Sequence, residues 1–388
     1  MTFKKTILFI HRWLGFTSGL VVFIVSITGC IFCFQDEIQD AIYSWRKVEV
    51  QHKPYIAPST LKNIATAKYP GAAANYIYYF GPDRPAAVLA NVKRRGFTYI
   101  YINPYTGQLL HTEGLQENFF TVVKYIHLYL LLPAKVGQMV VGISVIIFLI
   151  LMITGIVLWW PKRKSDRKRS FTIKWGSRWR RINYDLHNVF GFYATSIAII
   201  LALSGLSIAF NWVNTGIYKA ANLGKSYPDE AVFPKSDTTG KVAVAAQPVA
   251  DRVFFEVKKS EPNAQMFLIA DDGTKSGTIN ITAYRESMHF GNSDEYYYDR
   301  NNGKLLKFLP DVKKSAGLKL NDLNYDIHVG QVWGLTTKII AFLASLICAT
   351  LPVTGFIVWL GKRKKPKKQK EKEVTHRRTH KQMLRAGQ

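Results

Sequence analysis

Four stretches of the chain run for 22 to 25 residues without an acid or a base: Trp13–Phe34, Val136–Trp160, Val189–Phe210 and Ile339–Leu360. A hydrocarbon core about 30 Å thick needs about 20 helical residues, so each run predicts a transmembrane helix. Trp159 and Trp160 end the second run and Trp359 nearly ends the fourth, where amphipathic rings suit the membrane–water interface. The first run has no small-residue cleavage pattern and follows Lys4, Lys5 and Arg12, which reads as an uncleaved signal anchor. Between the runs the period changes from helical to two. Alternating strands are expected at Tyr76–Phe80, Ala86–Val92, Ala264–Ala270 and Gly277–Thr282, and amphipathic helices at Pro58–Tyr69 and Pro248–Ser260. Tyr99–Leu110 and Tyr296–Leu306 both read strand, Asn/Gly turn, strand, a hairpin signal. Each polar stretch therefore predicts one helix on a small antiparallel sheet.

Charge fixes the orientation. The chain carries 52 Lys+Arg against 26 Asp+Glu, a net +26. Residues 1–12, 161–181 and 361–388 hold net charges of +3, +9 and +10, and each block abuts an apolar run. Basic residues concentrate on the cytoplasmic side of membrane proteins, and such clustering excludes a general nucleic-acid-binding surface. The apolar runs exclude a soluble enzyme and a disulfide-rich secreted domain too, and Cys30, Cys33 and Cys348 all fall inside those runs, leaving the polar stretches no disulfide framework. The expected partition is 1–34 (cytoplasmic N-terminus and first span), 35–126 (first external domain), 127–160 (second span) and 161–186 (basic cytoplasmic loop). Then follow 187–210 (third span), 211–327 (second external domain), 328–360 (fourth span) and 361–388 (polybasic cytoplasmic tail).

The two halves repeat. His11-Arg-Trp-Leu-Gly15 opens the first run and His187-Asn-Val-Phe-Gly191 the third; Thr28-Gly29 and Ser204-Gly205 close them. The second and fourth runs end Thr154-Gly155 and Thr354-Gly355, each four residues before Trp159 or Trp359, and His127 and His328 precede them. Both halves start and finish in the cytoplasm, so they form a parallel repeat about an axis along the membrane normal. That symmetry sets His11 opposite His187 near one surface, and His127 opposite His328 near the other. The expected fold is thus membrane α+β: a four-helix bundle of two tandem repeats carrying two external α+β domains.

Ionisable residues in or beside membrane helices usually face the bundle interior and mark function. Two imidazoles across a bundle are a suitable axial set for haem iron, and bis-imidazole ligation favours electron transfer. Gly15 and Gly19, and Gly191 with Thr195, follow their histidines at i+4 and i+8, giving a porphyrin edge room along one helix face. Zinc competes as a reading, but the histidines have no compact Cys/His spacing and no adjacent acidic ligand. Cys30-x-x-Cys33 is followed by Phe34 rather than histidine, against covalent haem attachment; its thiols read as packing residues. His52, His111 and His289 read as surface or structural. Arg12, Arg180 and Arg181 are candidates to pair with haem propionates. Tyr76, Tyr78, Tyr79 and Tyr296–Tyr298 are candidates for a docking surface, with strand packing as the blander reading.

These histidine–glycine starts, Thr-Gly-x-x-x-Trp ends and the Asn103-Pro-Tyr-Thr-Gly107 turn resemble the PepSY-associated transmembrane family, also called iron-regulated membrane proteins. The resemblance covers nearly the whole chain to about residue 365. It implies four transmembrane helices, two external PepSY domains and two b-type haems ligated by His11, His187, His127 and His328. It also implies a bacterial inner-membrane siderophore reductase, acting on a ferric siderophore or other ferric chelate outside. No flavodoxin-like or nicotinamide-binding unit follows the fourth run, so the electron donor would be a cytoplasmic reductase or membrane quinol. A non-enzymatic PepSY regulatory or peptide-binding protein, and a siderophore or metal transport accessory, remain open alternatives.

The orientation is checked by introducing single cysteines. Positions within 40–120 and 215–320 are expected to react with an impermeant maleimide added outside, and positions within 162–185 only after the membrane is opened. Finding Gly107→Cys on the inside would overturn the topology.

Overall fold

The computed structural model describes residues 2–161, 163–239, 247–271 and 273–363. From residue 364 onward the polybasic tail, with His376 and His380, lies outside them. Four helices are long and apolar enough to cross a membrane: Phe3–Cys33, Ala134–Trp159, Trp179–Ala209 and Leu335–Gly361. Each contains the greater part of one predicted run. The first and third begin ten residues before the uncharged stretch starts, because backbone hydrogen bonding carries a helix on through Lys4, Lys5, Arg180 and Arg181 once it has nucleated. The third is interrupted at Leu186–Phe190 by a π-helical turn that includes His187, a local widening often found at functional sites.

The chain divides into two compact units: one drawn from 1–27, 139–199 and Leu343 onward, the other from 28–138 and 200–342. In the first, helices approach closely. A Cβ on Gly19 would lie 3.3 Å from Pro352 Cβ, and the Trp159 ring stacks on Phe192 with centres 3.8 Å apart.

The second unit is built on one eight-stranded antiparallel sheet in the order β4-β3-β2-β1-β5-β6-β7-β8. Its strands are β1 Ala73–Tyr79, β2 Ala86–Val92, β3 Gly96–Ile102, β4 Leu109–Gly114, β5 Met266–Asp271, β6 Thr278–Tyr284, β7 Ser293–Asp299 and β8 Leu305–Leu309. The expected strands and hairpins are all present. Sequence treats 35–126 and 211–327 as separate domains, each with its own sheet; here β1 pairs with β5, Ile77 opposite Ile269 and Tyr79 opposite Phe267. An edge strand carries a row of unpaired N–H and C=O groups, and each set of four strands satisfies the other's.

The helices Pro58–Lys68 and Val249–Ser260 cover one face of this sheet. Leu61, Ala65, Val253, Phe254 and Val257 bury against Ile77, Val88, Ile100, Ile269 and Ile281 in one core. Tyr79 lies inside it, its ring 4.6 Å from Phe254 and its hydroxyl donating to the Ile56 carbonyl at 2.7 Å. The opposite face is aromatic and phenolic. Tyr78 meets Tyr99 at 6.1 Å, and Tyr284 meets Phe290, which meets Tyr325 at 5.4 Å. Tyr325 stands three residues before His328, so this face leads directly to the helix that carries it. In the same unit, Asp40 accepts from Arg46 and Arg84. Burial works against its charge, yet the two guanidinium groups hold the carboxyl below its ordinary range.

Asp251, buried on the second covering helix, accepts from both the backbone N–H and the hydroxyl of Ser59 at the start of the first. Asp251→Ala strands those buried donors, which costs about 1–3 kcal/mol. The expected result is a lower melting temperature for the detergent-purified chain, with Asp251→Asn retaining part of the loss; an unchanged melt would show the link to be dispensable.

Candidate functional site

In the first unit, His11 and His187 face each other with ring centres 6.4 Å apart and planes at 87°. His11 Nδ1 lies 2.8 Å from the Thr154 hydroxyl, and His187 Nδ1 lies 3.0 Å from that of Thr354. Each hydroxyl donates its own proton back along its helix, Thr154 to the Ile150 carbonyl and Thr354 to that of Thr350, both at 2.9 Å. With its proton so placed, the hydroxyl accepts from the ring. Nδ1 therefore carries hydrogen, and the Nε2 lone pair is left for a metal. One turn before His187, the buried Asn183 amide donates to the Thr354 carbonyl at 3.0 Å, while its Oδ1 has no partner among the described residues.

The second unit repeats the arrangement. His127 and His328 have ring centres 5.9 Å apart and planes at 64°. His127 Nδ1 lies 3.2 Å from the Thr28 hydroxyl. His328 Nδ1 lies 3.0 Å from both the Ser204 hydroxyl and the Leu201 carbonyl, and Ser204 also donates to that carbonyl. Both histidines occupy the last turn of a short helix, Phe119–Tyr129 or Asn324–Val329. Those helices stop abruptly. Leu130 and Leu131 take left-handed backbone at φ 54 and 58, and Gly330 does so at φ 79. Two successive leucines in that region are strained, which is a cost borne to turn the chain immediately after His127.

Beside every hydroxyl stands a glycine under the imidazole. A Cβ on Gly155 would come within 3.6 Å of His11 Cε1, and one on Gly355 within 3.1 Å of His187 Cε1. At Gly29 the distance to His127 Cε1 would be 3.3 Å, and at Gly205 the distance to His328 Cε1 would be 2.8 Å. Glycine lets the Cε1 edge of the ring approach the neighbouring helix while the preceding residue holds Nδ1. Sequence reasoning found all eight residues as marks of a repeat but missed this role.

Two imidazoles bound to one metal from opposite sides, by bonds of about 2 Å, have ring centres about 6 Å apart. Both pairs meet that requirement. Among the described residues no cluster of three His, Cys, Asp or Glu exists that would hold a bare ion. A group bringing its own remaining ligands, as a porphyrin does, suits a two-histidine donor set. Of the glycines expected to give it room, Gly15 fits, since a Cβ there would meet nothing within 4 Å; at Gly191 it would touch Leu351 at 3.4 Å, and Gly19 serves helix packing.

The other candidates fall elsewhere. Arg181 is paired with Asp185 at 2.7 Å, and Arg12 lies over the Phe9 and Trp13 rings. Tyr79, Tyr296, Tyr297 and Tyr298 are buried, so they pack the sheet and form no docking surface; Tyr76 alone of the named tyrosines is exposed. His111 stacks on Trp45 at 4.4 Å, and Cys30 and Cys33 are buried free thiols.

No curated protein matches this chain. The family model described as the PepSY-associated TM region matches residues 8–362, a span that takes in both histidine pairs, all four hydroxyl–glycine dipeptides and the whole sheet. The chain therefore belongs to the PepSY-associated transmembrane family.

Proposed function

We propose that this protein is a di-haem electron-transfer protein of the bacterial inner membrane that reduces a ferric chelate, such as a ferric siderophore, on the external side. The observation carrying the reading is the doubled histidine pair, with all four Nδ1 atoms tied to hydroxyls and the ring centres spaced for one metal between each pair. His11 and His187 hold one b-type haem and His127 and His328 the other. The haems supply the one-electron chemistry; the chain supplies ligation, orientation and a site shielded from water.

Thr154, Thr354, Thr28 and Ser204 keep each ring in the tautomer that presents Nε2 and stop it rotating. By accepting from Nδ1–H these hydroxyls also raise the basicity of the ligand, which favours the ferric state and lowers the potential. On the sequence-derived topology, His11/His187 lie toward the cytoplasm and His127/His328 toward the outside. One electron taken from a cytoplasmic reductase or membrane quinol is delivered to Fe(III) in the chelate. Fe(II) is held more weakly by hard oxygen donors and leaves.

Protein purified from haem-replete cells is expected to show a Soret band and two haems per chain. His11→Ala or His187→Ala should each remove one haem, and His127→Ala or His328→Ala the other; unchanged haem content in His11→Ala would defeat the pairing. Dithionite-reduced wild type should be reoxidised by a ferric siderophore, with Fe(II) trapped by a ferrous chelator. His328→Ala should react at least tenfold more slowly. Red protein that stays reduced before several ferric chelates would leave a haem protein with a different acceptor, and colourless protein would favour a regulatory role for the external sheet.

A further inference from the structure

A charge removed from water needs a partner, and among the described residues of the second unit the buried and half-buried cations observe this except at Lys124. Arg46 pairs with Asp36 and Asp40, Arg84 with Asp40, Lys314 with Asp322 and Glu295, and Lys338 with Glu37, at 2.5 to 2.8 Å. Lys258, also half-buried, lies over the Tyr55 ring at 4.6 Å. Lys124 is half-buried on the helix Phe119–Tyr129. It has no ion pair, hydrogen bond or ring contact among the described residues. Burial alone acts on its ammonium and pushes it below the ordinary lysine range.

Its position indicates what it meets. Lys124 precedes His127 by three residues, so the two side chains share one helix face, a turn apart. By chain order it stands on the side of His127 nearer the sheet. A porphyrin is apolar except for its propionates, and these go to the watery edge of the site. The repeat-equivalent position, Tyr325, is a phenol already engaged with Gln35 at 3.5 Å. Lys124 thus stands one turn from His127, with no protein anion paired to it among the described residues.

Resting on the di-haem reading, we propose that Lys124 is the counter-ion of a propionate on the haem held between His127 and His328. As a positioning and tuning residue it raises that haem's potential, since a nearby positive charge favours the electron-rich reduced state.

The test is a spectroelectrochemical titration of the purified full-length chain. Lys124→Met should lower the potential of one haem by about tenfold in its redox equilibrium, about 59 mV for one electron, and leave the other unmoved. Lys124→Gln should behave alike, and Lys124→Arg should restore the wild-type value. The shift should persist in a His11→Ala background and vanish in a His127→Ala background. Unmoved potentials with both haems retained would overturn the assignment. If the variant then reacted more slowly with the ferric chelate, the lysine would belong to chelate docking instead. A shift confined to the other haem would overturn it equally. Wild-type protein without haem would fail the di-haem reading itself, which the Soret band establishes before any variant is compared.

Discussion

The hydrogen bond from each imidazole Nδ1–H to a hydroxyl on a neighbouring helix is the contact on which the site depends. A histidine among apolar helices has two polar ring atoms, and hydrocarbon offers a partner to neither. Here one atom is answered by Thr or Ser, and the hydroxyl protons of Thr154, Thr354 and Ser204 are already committed to carbonyls of their own helices. In His11 and His187 the other ring nitrogen keeps its lone pair and a defined direction. Interhelical hydrogen bonds in membranes average only about 0.6 kcal/mol, so these bonds add little to stability. Their effect is on register: shifting Thr154 by one residue along its helix would turn the hydroxyl away from His11 and bring a side chain where Gly155 now clears the ring.

The two pairs solve the same problem on different backbone. In the first, both histidines lie within long helices, one of them in a π-turn that rotates its side chain without ending the helix. In the second, both stand at the ends of short helices that stop one or two residues later. A terminal histidine can be placed by a turn, at the cost of left-handed backbone at Leu130 and Leu131. An internal one is placed only by the helix face it occupies.

Much of this was legible in the sequence because charge and apolar runs contrast sharply. His11, His187, His127 and His328 stand out against uncharged surroundings, and their spacing to glycine repeats across the halves. What sequence did not disclose was adjacency. Nothing in Thr154-Gly155 says that it faces His11 rather than lipid. Lys124 looks like an ordinary lysine near a membrane surface, and that it is half-buried without an ion pair among the described residues appears only in the folded chain. The same holds for Tyr79 and Tyr298. Alternation marks them as strand residues, but the two faces of a strand are equivalent until the helix carrying Phe254 is laid on one of them. The β1–β5 pairing was invisible for a deeper reason: it is made by main-chain groups, which every residue but proline possesses.

That pairing has a consequence for how such a molecule is joined. Antiparallel strands side by side are carried onto one another by a half-turn about an axis through their midpoint, so the joint between β1 and β5 is of the kind two identical protomers make across a dyad. A polypeptide carrying only β1–β4 would present β1 as a bare edge, ready to zip onto the same edge of a second copy. Covalent continuity between the two sets of strands turns that encounter from one governed by concentration into one internal to a single chain. It also leaves no competent edge at the middle of the sheet for a foreign strand to invade.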